Sequence, residues 1–356
     1  MTTGVTAEPP AQPVPAPPAV PATVHILRDL ALSCARAAIV RAAVRLGIAD
    51  VVGDEAMPLA EVASAIGAEP ATLHRLLRAL AAHGVFTVGE DGACAHNDVS
   101  RLLRSDAART MKHMVLWATE PWAWELWPHL DEAVRTGGDV FTGLHGRGFF
   151  DYLHAEAPES AAVFDLAMTQ SSQLSVGAVV GQISLEDNQV FADIGGGQGS
   201  VLAAVLERYP TARGVLLDLP EVLGNADPRL REGGALAERT ELVAGDCATE
   251  VPAKADVYLL KNVLEWDDES TVRTLRNVAR AAAPGARVLV MENLLDRSPE
   301  PEFTIAMDLL LLCNVGGRKH TADGLTALCG EAGLRVREVR PVNSYLQLIE
   351  ASVDPA

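Results

Sequence analysis

Beyond residue 189 the chain alternates short apolar runs with longer amphipathic stretches. QVFADI, RGVLLDL, TELVAGDC, ADVYLLKNV and ARVLVMENL are rich in apolar residues and have strand length. Runs with so little polar alternation suit strands buried on both faces, as in a parallel sheet covered by helices. GSVLAAVLERYP lies between the first two and DDESTVRTLRNVARAAAPG between the last two, both with helical periodicity. The end, LRVREVRPVNSYLQLIEASV, reads as two strands joined by a short turn. The pattern predicts an α/β fold, a doubly wound Rossmann-like sheet with an antiparallel edge.

The amino-terminal half has a different period. From Val24 to about Phe150 the apolar positions recur at helical spacing. Leu59 to Ile66 reads as a short helix stopped by Gly67, and Pro70 opens a second helix running to His83. FTV and GACAH then form two short strands around Glu90-Asp91-Gly92. Helix, turn, helix and hairpin make a winged-helix layout. Its second helix carries Leu73, Leu76, Leu77 and Leu80 but only Arg75 and Arg78 as cations, which fits packing or dimerisation better than DNA binding. Trp117, Trp122, Trp124 and Trp127 follow, suited to a core or to the wall of an aromatic pocket. The expected division is a Pro/Ala-rich tail over 1–22, a mainly helical winged-helix dimerisation domain over 23–150 and a ligand-binding α/β domain over 151–356.

Composition narrows the function. The 356 residues carry a net charge of −18, which argues against a nucleic-acid partner. Five widely spaced cysteines without a CxxC pair suggest neither a disulfide framework nor zinc. The first 22 residues hold seven prolines and no Lys or Arg, unlike a signal peptide. No apolar run approaches the ~20 residues of a membrane helix, so the expected location is the cytoplasm.

Candidate chemistry lies at the strand ends. The first strand of the sheet runs into FADIGGGQGS, where Gly195, Gly196, Gly197 and Gly199 allow close backbone approach to a ligand. A dinucleotide fingerprint would place its third glycine at Ser200. Asp193, just before the glycines, would repel a pyrophosphate but suits a ligand with a cationic amino-acid portion. Asp218 ends the second strand, where an acid can bind ribose hydroxyls. Asp246 ends the third, suited to an adenine amino group. Together these features describe S-adenosylmethionine better than NAD.

On these blocks, with GRGFFDYLHAEAPESAAVFDLAMTQSS and DLLLLCNVGGRKHT, the chain resembles the S-adenosylmethionine-dependent small-molecule O-methyltransferases that carry an amino-terminal dimerising winged helix. The resemblance implies a homodimer acting on a small aromatic metabolite, with no membrane or nucleic-acid partner. It implies cofactor contacts from Asp218 and Leu219 at the ribose, Asp246 and Cys247 at the adenine, and Trp266 against its ring. The backbone near Lys261 would hold the methionine end, and Met168 and Ser172 would line the pocket. Where Cys247 stands the family usually has phenylalanine. Trp117, Phe150, Met307 and Leu311 are the candidate substrate-binding residues.

The catalytic turn departs from the family. After its fourth strand the family reads leucine, a histidine base, an acid and tryptophan. Here Leu264 is followed directly by Glu265 and Trp266. Glu292 keeps one supporting glutamate, whereas Lys319 stands at the other, beside His320. A phenol near ~10 is poorly matched to an ordinary glutamate near ~4.3 and better matched to histidine near ~6.5. Burial could raise Glu265, His320 could act from across the pocket, or proximity to an acidic acceptor could suffice. C-methylation of an electron-rich ring, a non-methylating reaction and a metal held by Glu265, Asp267 and His320 are the rival chemistries.

Overall fold

The computed structural model describes residues 21–353; the tail expected over 1–22 lies, up to residue 20, outside the described residues. A helix over Ala22–Ala31 leads, with Val24, Ile26, Leu27 and Leu30 exposed and no residue buried. Helices Ser33–Arg45 and Ile48–Val51 follow, separated by Gly47 in the left-handed region. Next come helices Leu59–Ile66 and Pro70–Ala82. The second is capped by the Glu69 carboxylate, which accepts from the Ala71 and Thr72 amides. Strands β1 (Thr87–Val88) and β2 (Cys94–Ala95) pair antiparallel as the wing. This unit closes on its own core of Ile48, Val62, Leu73, Leu77, Leu80 and Phe86.

The tryptophan-rich region forms short helices, and Trp122, Phe141 and Phe149 pack as a connected aromatic cluster. Cluster residues Trp117, Leu153 and Ala167 share this core with Leu310 and Cys313 of the later helix Pro301–Val315. The long helix Pro158–Gln182 leads from here into the sheet.

The α/β part is built on β3 (Val190–Ile194), β4 (Arg213–Asp218), β5 (Thr240–Ala244), β6 (Val257–Lys261), β7 (Arg287–Glu292), β8 (Leu334–Pro341) and β9 (Gln347–Val353). Their order is β5-β4-β3-β6-β7-β9-β8. The pairings from β5 to β7 are parallel, while β9 runs antiparallel to both β7 and β8. Alternate residues of one strand serve opposite cores. Ala192, Ile194, Tyr258 and Leu260 face helices Asp268–Ala281 and Ala322–Glu331, while Phe191, Val257 and Leu259 face helix Ser200–Arg208. Burial on both faces is why these strands are so evenly apolar. The sheet reverses its winding between β3 and β6, which opens a crevice beyond their carboxyl ends.

Candidate active site

The glycine turn leaves β3 at this crevice. Gly195 has φ +63°, and a Cβ there would lie 2.8 Å from Val263 Cγ2. A Cβ on Gly196 would lie 2.5 Å from Asp193 Cγ, so the turn is packed directly on that carboxylate. The Gly197 amide donates to Asp218 Oδ2 at 2.7 Å, and the Leu219 amide to Asp218 Oδ1 at 2.8 Å. The ends of β3 and β4 are thereby fixed to each other, and each Asp218 oxygen keeps acceptor capacity. Thr169, next to Met168 on the long helix, donates to Gln198 Oε1 at 3.1 Å and ties that helix to the turn. Met168 and Ser172 are half-buried on it.

Asp193 is buried, and its Oδ2 has no hydrogen-bond partner. Burial pushes its carboxyl up to about 7; Lys261 opposes the rise and Asp218 adds to it. Burial likewise lifts Asp218 to about 6, against the pull of the Leu219 and Gly197 amides. A buried carboxylate oxygen without a partner, beside a second raised acid, is an environment that a cation relieves. The residues present therefore fit S-adenosylmethionine, whose α-ammonium and sulfonium groups are cationic.

Asp246 is exposed at the end of β5, and its oxygens accept from the Ala248 amide at 2.8 Å and the Thr249 hydroxyl at 3.1 Å. Cys247 is buried with its thiol pushed up to about 12 by desolvation, and Asn277 Nδ2 holds its carbonyl at 2.9 Å. Trp266 packs against the core cluster that contains Cys247 and Leu217.

Trp117 is buried in edge contact with Phe164, and its Nε1 has no partner. Met307 and Met168 pack against the same cluster, and Leu311 lies one helical turn beyond Met307. On that helix Asn314, unremarked in the sequence, has a buried Oδ1 without a partner. Phe150 stands apart. It is exposed, and it lines an open cavity of about 610 Å³ with Arg147, Asp151, His154, Leu219 and Glu221. Its ring makes an edge contact with Phe164, and Leu219 puts this cavity beside the end of β4.

The catalytic turn is held from behind. Glu292 Oε1 accepts from the Val263 and Leu264 amides at 2.9 and 3.0 Å. Burial, and then the neighbouring Glu265, push its carboxyl up to about 7 against the pull of Lys319. Asn262 adopts φ +52° at the strand exit, with its Oδ1 buried and unpartnered. Glu265 forms an ion pair with Lys319, which sequence inspection placed at the lost acid position without pairing it to anything. The Lys319 side chain is 5% exposed and that of Glu265 is 23% exposed, so the ammonium lies behind the carboxylate. Burial works against the Lys319 charge, but Glu265 and Glu292 override it and hold the ammonium above its ordinary range. Lys261 is lowered by burial in spite of Asp193, Glu292 and Glu265.

His320 is turned toward the helix that follows Trp266. It is buried, its Nε2 lies 3.4 Å from Thr271 Oγ1 and its Nδ1 3.8 Å from Asp268. Desolvation lowers its proton affinity. That orientation is expected where adjacent residues of an extended segment point to opposite sides. Asp267 caps that helix by accepting from the Ser270 amide at 2.9 Å, so Glu265, Asp267 and His320 do not converge. Among the described residues no group of three or more potential ligands is placed to hold a metal.

Comparison with known proteins agrees with this geometry. An O-methyltransferase domain profile matches residues 127–335, and an O-methyltransferase dimerisation domain profile matches residues 29–106. A mitomycin biosynthesis 6-O-methyltransferase of Streptomyces lavendulae is 38% identical over 317 residues, 88% of this chain and 90% of that one. The solved mitomycin 7-O-methyltransferase superposes with a TM-score of 0.85 at 35% identity, covering 93% of this chain and 98% of the other. An O-methyltransferase of neocarzinostatin biosynthesis, solved with S-adenosylmethionine and 2-hydroxy-5-methyl naphthoic acid, gives 0.76 at 31% identity, covering 90% and 96%. The winged helix is thus a dimerisation module, and no described helix is long and apolar enough to cross a membrane. Sheet order, cofactor cradle and sequence agree: the chain belongs to the S-adenosylmethionine-dependent O-methyltransferase family with an amino-terminal dimerisation domain, and is a methyltransferase.

Proposed function

We propose that this enzyme transfers a methyl group to a hydroxyl of a small planar aromatic metabolite, in natural-product biosynthesis, as a cytoplasmic homodimer. The observation that carries the reading is the tie between the acids and the apolar wall. Thr169, beside Met168, donates to Gln198 of the glycine turn, whose Gly197 amide donates to Asp218, and Met168 packs on the cluster of Trp117 and Met307. The relatives point the same way, named as mitomycin O-methyltransferases or solved with a hydroxylated naphthoic acid.

When bound, S-adenosylmethionine supplies an electrophilic methyl group on a cationic sulfonium. In this reading Asp193 meets its aminoacyl cation, Asp218 and Leu219 its ribose, and Asp246, Cys247 and Trp266 its adenine side. Trp117, Met307 and Leu311 hold the acceptor ring flat and exclude water. Glu292 fixes the backbone of the turn, and Glu265 takes the hydroxyl proton as oxygen attacks. The proton affinity of a carboxylate lies far below that of a simple phenol, so acceptors acidified by a conjugated carbonyl or carboxyl group suit it.

The test is transfer of labelled methyl from S-adenosylmethionine to a panel of hydroxylated benzoates, naphthoates and quinones, with products resolved by mass spectrometry. Label on an aromatic oxygen supports the reading. Cofactor binding by calorimetry with transfer only to ring carbon would overturn it.

A further inference from the structure

Thr169 and Gln170 are neighbours on helix Pro158–Gln182, and their side chains hold two different elements. Thr169 donates to Gln198 Oε1 in the glycine turn. Gln170 holds the helix Lys112–Ala118, which carries Trp117. Its Oε1 accepts from the His113 amide at 3.2 Å, and its Nε2 lies 2.8 Å from His113 Nδ1. An amide nitrogen only donates, so Nδ1 is the accepting nitrogen and the imidazole proton sits on Nε2. Burial and the neighbouring Lys112 lower the proton affinity of His113, which keeps Nδ1 free for this bond. The pair of bonds also satisfies an amide in the first turn of the short helix, which has no acceptor within the helix itself. The other end of that helix is held as well. Arg41, on helix Ser33–Arg45 of the dimerisation unit, donates to the Leu116 carbonyl and to Thr119 Oγ1, both at 3.1 Å. His113 and Trp117 are one helical turn apart and share a face, the face on which Trp117 meets Phe164 edge-on. What fixes His113 therefore fixes Trp117.

We propose that Gln170 is a positioning residue that couples the cofactor cradle to the wall of the acceptor chamber. The inference rests on the reading of Trp117 as part of that wall, which the methyl-transfer assay tests separately. Cofactor held at Asp218 steadies the Gly197 amide that donates to the same carboxylate. Gln198 is the next residue of the turn, and its side chain holds Thr169. Gln170 follows Thr169 and clasps His113, so the order imposed on the turn reaches the helix of Trp117. A wall already ordered by the first ligand costs the second less to order, and the coupling has the same size in both directions.

Hydrogen exchange read by mass spectrometry on the full-length protein, with and without saturating S-adenosylmethionine, tests the coupling. In the parent the cofactor should slow exchange over residues 195–199 and also over 112–118, the latter by roughly tenfold, an ordinary size for coupling between sites. Gln170→Leu should still bind the cofactor in calorimetry and keep the protection at 195–199, but lose it at 112–118. His113→Leu should behave in the same way. His113→Asn should retain both protections, because its Oδ1 stands where Nδ1 stood and accepts from the same amide. A merely structural Gln170 would loosen 112–118 equally with and without cofactor. A cofactor-dependent difference that survives there in Gln170→Leu therefore overturns the inference. Protection confined to 195–199 in the parent also overturns it and leaves the methyltransferase reading intact. A parent that binds no cofactor defeats both readings.

Discussion

Cofactor affinity should fall steeply on mild acidification, and the two buried acids determine by how much. In the free protein Asp193 titrates at about 7 and Asp218 at about 6, both raised by burial. A cationic ligand beside Asp193 and ribose hydroxyls donating to Asp218 both require the ionised forms. Binding below these values must first strip protons from the site. At about pH 5.5, Asp193 contributes a loss of roughly 30-fold and Asp218 roughly fourfold, together on the order of 10²-fold relative to pH 8. At about pH 6.5 binding should release about one proton, the sum of the two partly protonated carboxyls. Titration calorimetry at both pH values, repeated in buffers of different ionisation enthalpy, measures affinity and proton release together. Asp193→Asn should weaken binding at pH 8 by roughly 1.5–3 kcal/mol, the worth of a charge-assisted contact. It should also reduce the acid loss to the Asp218 step of roughly fourfold. Affinity that stays level from pH 8 to 5.5, or an acid loss unchanged in Asp193→Asn, would refute the reasoning.

The same raised values bear on folding. Asp193 and Glu292 bind protons more tightly in the folded than in the unfolded protein. The stability they contribute is full at acid pH and is lost as pH rises through about 7. Thermal scans should therefore show less fall in midpoint between about pH 6 and 8 for Asp193→Asn than for the parent. Gly196→Ala drives a methyl group against Asp193 and Leu216, at 2.5 and 2.6 Å, and should abolish cofactor binding in calorimetry while leaving the dimerisation unit folded. His320→Ala should lower the thermal midpoint through lost packing against Thr271 yet leave the pH–rate profile unmoved; a vanished acidic limb would restore it as the base. Leu27→Glu with Leu30→Glu places charge on the exposed apolar face of the first helix, and light scattering should then report monomers.

The sheet was legible because its physics is local. Each parallel strand is buried on both faces, so its sequence is nearly all apolar, and the strands from Val190 to Val353 appear where those runs lie. Several left-handed residues that stop or join elements are glycines, at 47, 67, 195 and 197, the residue type that signals them, whereas Phe86, Asn188 and Asn262 take the same region without that signal. The gathering of the acids was legible for the same reason, since parallel strands bring their carboxyl ends to one side of the sheet whatever the rest of the chain does. The exposure of Phe150 beside Phe164 was not legible, because an aromatic residue in an aromatic-rich stretch carries no mark of its surroundings. Lys319 and His320 are neighbours in sequence, yet one backs Glu265 and the other packs on Thr271. Only the path of the segment, pinned where the Arg318 amide donates to the Glu265 carbonyl at 3.2 Å, decides between them.

The two departures from the family pattern, a missing histidine and a lysine in place of an acid, are a single electrostatic change. Glu265 placed alone beside Glu292, itself buried and pinned by two amides, would bring two carboxylates into one low-dielectric pocket. Lys319 placed alone behind an imidazole would bury an ammonium with no carboxylate to answer it, the costliest state of such a pair. Together they form an ion pair whose neighbour Glu292 is only partly ionised near neutral pH. A histidine restored at 265 without an acid at 319 would therefore face a buried ammonium and be held neutral by it, with its proton affinity lowered where a base needs it raised. A histidine base in this turn requires an acid at 319 as well, because the chemistry of the turn resides in the pair.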